Sequence, residues 1–148
     1  MSEPLGTILL AEDNRNDVEL TLEAFAECNL VNPVVVVPNG AEALDYLHRR
    51  GRFVGREDGD PVVLVADIKM PKIDGLELLR QIKADPHLKS IPVVMLTSSN
   101  ENADLEESYR LGANAYVVKP IQFKEFAAAV ATVGRFWGLI NAPPPGSR

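Results

Sequence analysis

The stretch running from Val62 to Gly75, Val-Val-Leu-Val-Ala-Asp-Ile-Lys-Met-Pro-Lys-Ile-Asp-Gly, constrains the chain more than any other. Val62, Val63, Leu64, Val65 and Ala66 form an apolar run with no polar break. Such a run suits a strand covered on both faces, as in the middle of a parallel sheet. It delivers a carboxylate, Asp67, at its end, and Met70-Pro71 then stops the strand because proline has no N–H for a ladder. Asp74 is placed to cap a following helix, with Glu77 positioned to close a capping box. An acid at the carboxyl end of a central strand stands where open α/β sheets bind ligands. A single Asp there is more often a turn residue that bonds nearby amides, so other strand ends must carry the argument.

Four further apolar runs supply those ends. Residues 7–11 end in Glu12 and Asp13, and residues 33–37 are continuously apolar. Residues 92–96 run into Thr97, and Ala115, Tyr116, Val117 and Val118 run into Lys119. Helical segments alternate with these strands. The first places Val18, Leu22 and Phe25 on one face and fades near Asn29. The second points Ala43, Leu44 and Leu47 inward, and the third Leu78, Leu79 and Ile82. The fourth, 101–111, is acidic and poor in apolar anchors (Leu105, Tyr109 and Leu111), which predicts a marginal helix stopped by Gly112. The last carries Phe123, Phe126, Ala127, Val130, Val133 and Trp137. Five strand–helix units in alternation imply a doubly wound α/β fold, a flavodoxin-like three-layer sandwich whose parallel sheet has the order 2-1-3-4-5. One domain over 1–140 is expected, followed by a Pro-rich tail over 141–148 and no output domain.

The bulk numbers narrow the function. At 148 residues, 46% hydrophobic and 24% charged, the chain suits a single soluble globular domain. A net charge of -6 argues against a nucleic-acid footprint, and Arg49, Arg50, Arg52 and Arg56 read as a solvated helix end. Cys28 is the only cysteine, so no intrachain disulfide can form. His48 and His87 lack a second ligand at metal spacing, which argues against zinc. With no signal peptide and no membrane-spanning run, a cytoplasmic protein without membrane contact is expected.

A parallel sheet gathers Glu12, Asp13, Asp67, Thr97 and Lys119 at one edge. Three carboxylates so close repel one another unless a cation sits among them, and an all-oxygen donor set suits Mg2+. Lys119 and Thr97 could hold the oxygens of a phosphoryl group beside that metal, and Asp67 could be the nucleophile that takes it. Each residue taken singly has a blander role, as cap, turn or surface lysine. An acid pair, an acid, a hydroxyl and a lysine at successive strand ends seldom arise together by chance. A haloacid-dehalogenase-type phosphatase would need a second acid where Lys69 stands. A nucleotide or flavin binder would need a Gly-rich loop where Glu12, Asp13, Asn14, Arg15 and Asn16 stand. A passive, phosphorylation-independent interaction module is the strongest rival.

The set Glu12-Asp13, Asp67, Met70-Pro71, Asp74-Gly75, Thr97, Leu111-Gly112-Ala113 and Lys119-Pro120 resembles the response-regulator receiver domains of two-component signalling. The resemblance extends from Thr7 to about Leu139. It implies that Asp67 accepts phosphate from a histidine kinase. It also implies that Asp13, Asp67 and the Lys69 carbonyl bind Mg2+, with Glu12 helping through water. Thr97 and Lys119 would contact the phosphoryl group, Lys119-Pro120 would be a cis bond, and Tyr116 would be an aromatic switch working with Thr97. More narrowly, residues 51–60, Lys83-Ala84-Asp85-Pro86 and the ending Phe136-Trp137-Gly138-Leu139-Ile140 look like the single-domain regulators paired with bacterial and cyanobacterial phytochrome kinases. Lys69 departs from the more usual residues at its position, and with Ser99 it is expected to limit attack by water on the phosphorylated form. Phe136, Trp137, Leu139 and Ile140 leave a surplus of apolar surface, which predicts a homodimer through the last helix and the strand-five side.

Overall fold

The computed structural model describes residues 6–28, 30–57, 59–97, 102–119 and 122–132. Strands β1 (Ile8–Ala11), β2 (Val34–Val37), β3 (Val63–Asp67), β4 (Val93–Thr97) and β5 (Ala115–Val118) alternate with helices α1 (Arg15–Glu27), α2 (Gly40–His48), α3 (Gly75–Ala84), α4 (Asn102–Arg110) and α5 (Phe123–Thr132). A short 3-10 turn, Gly51–Phe53, follows α2. All strand pairings are parallel and the order is β2-β1-β3-β4-β5. This is the expected doubly wound, flavodoxin-like architecture.

Side chains alternate across the sheet, so each central strand feeds two cores. Leu9, Leu64, Val93 and Met95 meet Leu44, Leu47, Leu78, Leu79 and Ile82 on the side covered by α2 and α3. Ile8, Leu10, Val65, Val94, Leu96 and Val117 meet Phe25 and Phe126 on the other side, whose rings lie 5.1 Å apart. Every residue of β1, β3 and β4 is buried, whereas β2 is an edge strand and keeps only Val37 fully buried.

Several local expectations need correction. Helix α1 turns Thr21, Ala24 and Phe25 inward and leaves Leu22 exposed. The buried Thr21 hydroxyl donates to the Asp17 carbonyl at 2.7 Å, which lets a polar residue occupy the inner face. At α3, Asp74 caps the Glu77 amide as expected, but the Glu77 carboxylate accepts from Arg80 and Gln81 instead of returning to close the box. The basic cluster after α2 is more than a solvated helix end. Arg52 pairs with Glu42 at 3.0 Å, and the Arg56 guanidinium lies 3.9 Å above the Tyr46 ring. Tyr109, read as an anchor of α4, is half exposed, and Ser108 is the buried residue beside it.

The β3–α3 connection is closely packed. The Gly75 amide donates to the Ile68 carbonyl at 2.8 Å, and a Cβ at position 75 would lie 2.1 Å from the Asp67 carbonyl oxygen. Gly40 likewise packs against the Ile73 carbonyl. Gly75→Ala is therefore expected to cost at least about 1–3 kcal/mol, as overpacking does. Gly55→Ala, where an added Cβ meets nothing within 4 Å, should leave stability near wild type. Equilibrium urea unfolding of the two variants checks this, and equal midpoints would refute the close-packing account.

Candidate phosphoryl-acceptor site

The register brings the strand ends together. Ala11 pairs with Ala66, so Glu12 emerges beside Asp67, and Asp67 pairs with Leu96, one residue before Thr97. Thr97 pairs with Val118, so Lys119 follows at the same edge, and its amide donates to the Thr97 carbonyl at 2.7 Å. The Asp67 carboxylate is nearly buried, and its Oδ1 accepts from the Lys69 amide at 3.3 Å.

Glu12, Asp13 and Asp67 each offer an oxygen, and these oxygens lie within 4.8 Å of one another. Glu12 and Asp67 are buried while Asp13 is exposed, so the cluster opens to solvent on one side. The Lys119 ammonium sits against this group, 2.8 Å from Glu12 Oε1, 2.8 Å from Asp67 Oδ2 and 2.8 Å from Asp17 Oδ2. Its contacts to Asp17 and Asp67 are hydrogen bonds, whereas Glu12 Oε1 is buried at ion-pair distance without hydrogen-bond alignment. Glu12 Oε2 accepts from the Asn14 amide at 3.1 Å.

The charges do not balance. Burial pushes the Glu12 carboxyl up to about 7; the Lys119 ammonium 2.8 Å away opposes this and the Asp67 charge adds to it. For Lys119, burial pulls downward, yet contacts with Asp17, Asp67 and Glu12 outweigh it and hold the ammonium above its usual range. One cation thus contacts three carboxylates, and Asp13 adds a fourth acid beside Glu12 and Asp67. An all-oxygen, net-anionic cluster with one open side and an under-compensated buried Glu12 fits a hard divalent cation such as Mg2+ or Mn2+.

The structure therefore brings together Glu12, Asp13, Asp67, Thr97, Lys69 and Lys119, all singled out in the sequence. Thr97 is buried at the end of β4. Tyr116 lies on β5 beside Met95, half-buried, with its ring 5.4 Å from Tyr109 and edge-on to it. Asp17 is a site residue that the sequence analysis does not single out, because an acid in the first turn of a helix already has an ordinary local role. Ser99, Pro120, Trp137 and the tail over 141–148 lie outside the described residues, as does the apolar set near residue 140 on which the dimer expectation rests. Among the described residues, no helix is long and apolar enough to cross a membrane.

Comparison with known proteins points the same way. A family model described as the response regulator receiver domain matches residues 8–131. Response regulator Rcp1 of Synechocystis is 33% identical over 136 residues, covering 92% of this chain and 91% of that one. The Mn2+-bound form of Rcp1 superposes with a TM-score of 0.74 at 32% identity, covering 95% of this chain and 99% of that one. Bacteriophytochrome response regulator RtBRR is 56% identical with a TM-score of 0.85, covering 97% of this chain and 86% of that one. The phosphorylated cyanobacterial phytochrome response regulator RcpA is 36% identical with a TM-score of 0.75, covering 95% and 99%.

The raised Glu12 value has a consequence for the metal-free protein. The folded state takes up a proton on Glu12 between its ordinary 4.5 and about 7, where the unfolded chain would be ionised. The Glu12 contribution to stability is therefore fully present below pH 4.5 and is lost as pH rises through 7. Glu12→Gln should flatten that part of the stability–pH curve when both proteins are unfolded by urea in the presence of a chelator. An unchanged slope would show that Glu12 is not the titrating group.

Proposed function

Because the chain belongs to the response regulator receiver domain family, and is related to phytochrome response regulators, we propose that Asp67 accepts a phosphoryl group from the phosphohistidine of a histidine kinase. Receiver domains are signalling proteins that partner with histidine kinases, not turnover enzymes. The observation that carries the reading is the placement of the Asp67 carboxylate between an acid pair able to hold a hard cation and the Lys119 ammonium. A nucleophile, a cation site and a fixed positive charge at one sheet edge are the parts that phosphoryl transfer requires.

In the transfer, an Asp67 carboxylate oxygen attacks phosphorus and the bond from phosphorus to the imidazole nitrogen breaks. The electron pair leaves with the imidazole, which takes up a proton, and the ionised carboxylate has none to lose. Lys119, already at Asp67 Oδ2, would pair with the incoming phosphoryl oxygens, and Thr97, at the end of β4, would donate its hydroxyl to them. Glu12, Asp13 and Asp67, with the Lys69 backbone carbonyl, would hold Mg2+, which when bound neutralises charge developing on the phosphoryl group. Lys69 follows Asp67 at the pocket mouth and is assigned to slow attack by water. A Lys69→Asn variant should lose its phosphoryl group faster than wild type, and equal rates would remove Lys69 from that role.

The donor kinase is proposed to be of the phytochrome class, since RtBRR and RcpA are named as phytochrome response regulators. Output is proposed to travel by protein contact, with residues 1–140 acting as the receiver unit. Phosphorylation would draw Thr97 inward and turn Tyr116 after it, changing the surface of α4 and β5. A cleft of about 390 Å3 lined by Tyr109, Tyr116, Val118, Glu125 and Ala128 lies on that side, and a homodimer through the last helix and the strand-five side is proposed.

Intact mass and sizing chromatography after incubation with Mg2+ and an acyl phosphate test these assignments. Wild type should gain one phosphoryl group in a Mg2+-dependent way, and Asp67→Asn should gain none. Mg2+ binding without phosphate uptake would remove the small-molecule route and leave the kinase as donor. Neither binding nor uptake would return the chain to the passive-module reading. A mass that stays monomeric at all concentrations would end the dimer proposal.

A further inference from the structure

We propose that Asp17 is a positioning residue for phosphoryl transfer, holding the Lys119 ammonium in place while its other anionic partners change. The inference rests on the phosphoryl-acceptor reading of Asp67. An ammonium has three donors, and here three carboxylates stand 2.8 Å from it. Two of the three, Glu12 and Asp67, belong to the cluster suited to a cation, and Asp67 is also the acceptor. Both must redirect oxygens when metal binds and phosphate arrives. Asp17 is outside that cluster and has no such second duty.

Asp17 is also built to stay still. Its amide donates to the Asn14 side chain at 3.0 Å, which caps α1, and its carbonyl accepts from the buried Thr21 hydroxyl at 2.7 Å. The backbone is thus fastened on both sides, and the carboxylate extends from the first turn of α1 to the end of β5, 102 residues away in sequence. Lysine has a long flexible stem, so an ammonium that must meet a phosphoryl oxygen gains from a partner that orders it beforehand. A plain helix-start acid would interact with the free amides of its own turn. The Asp17 carboxylate is bonded to Lys119 instead.

The test compares wild type with Asp17→Ala and Asp17→Glu, all with Mg2+ and acetyl phosphate as donor. In Asp17→Ala the rate at saturating donor should fall about tenfold, as expected for one lost charge-assisted hydrogen bond in the transition state. Mg2+ affinity, measured by titration calorimetry, should stay at the wild-type value, and Asp17→Glu should recover part of the rate. A rate in Asp17→Ala equal to or above wild type overturns the proposal, as does a fall that merely follows weakened Mg2+ binding. Relaxation of the Lys119 15Nζ group, measured without donor, keeps the proposal separate from the reading beneath it. If wild type neither takes phosphate nor binds Mg2+, the acceptor reading fails. An equally ordered Lys119 ammonium in Asp17→Ala then overturns the positioning role as well, whereas a loosened one upholds Asp17 as its anchor.

Discussion

The site depends on one largely enclosed cation, the Lys119 ammonium, meeting more negative charge than it can neutralise. Its contacts tie the end of β5 to β1, to β3 and to the start of α1, so four elements from three distant stretches of sequence converge on one nitrogen. Paired buried charges contribute little net stability once desolvation is counted, and removing one partner costs much more than the pair supplies. The value of the arrangement is positional. It keeps an anionic cluster assembled that would otherwise spread apart, and it leaves the cluster net negative, with a solvent-facing side at Asp13.

The fold supplies the rigidity this requires. Asp67 ends the central strand, with β1 on one side and β4 on the other, and apolar cores cover both faces. Beyond it residues 68–74 loop back into α3, and the absence of a side chain at Gly75 allows the helix start to press against the Asp67 carbonyl. Lys119 is held differently, at the end of an edge strand that pairs with β4 alone among the described residues. Asp67 is thus fixed by the centre of the sheet, and its cationic partner by a strand with one neighbour among the described residues.

Those differences explain what could be read from the residues. The central strands were legible because unbroken apolar runs ending in Asp67 and Thr97 have few other solutions in a parallel sheet. The site followed, because strand order alone aligns the ends. The face of α1 was not, since a spacing of three and four residues fits two adjacent stripes and favoured Leu22 over Thr21. Only the hydroxyl bond from Thr21 to the Asp17 carbonyl shows why the polar residue can be inside. Asp17 itself was hidden by a sufficient local role, and nothing in its neighbourhood announces a partner 102 residues later. Glu77 is a similar case, because Arg80 and Gln81 compete for the carboxylate that a capping box would have used.

The alternation of β5 links this chemistry to the surface. Ala115 and Val117 point into the core, while Tyr116 and Val118 are half-buried on the other face. Val118 immediately precedes Lys119, and Tyr116 two residues earlier meets Tyr109 of α4. The Lys119 amide is in turn bonded to the Thr97 carbonyl. A displacement of Lys119 or Thr97 toward a phosphoryl group would therefore act on the free side of an edge strand, where the resisting contacts among the described residues are an exposed tyrosine and a helix stretch, 105–110, with Ser108 as its buried side chain. The same displacement at Asp67 would have to deform two packed cores. Motion following phosphate uptake should thus take the β5–α4 route, because that side of the sheet has the least packing to oppose it.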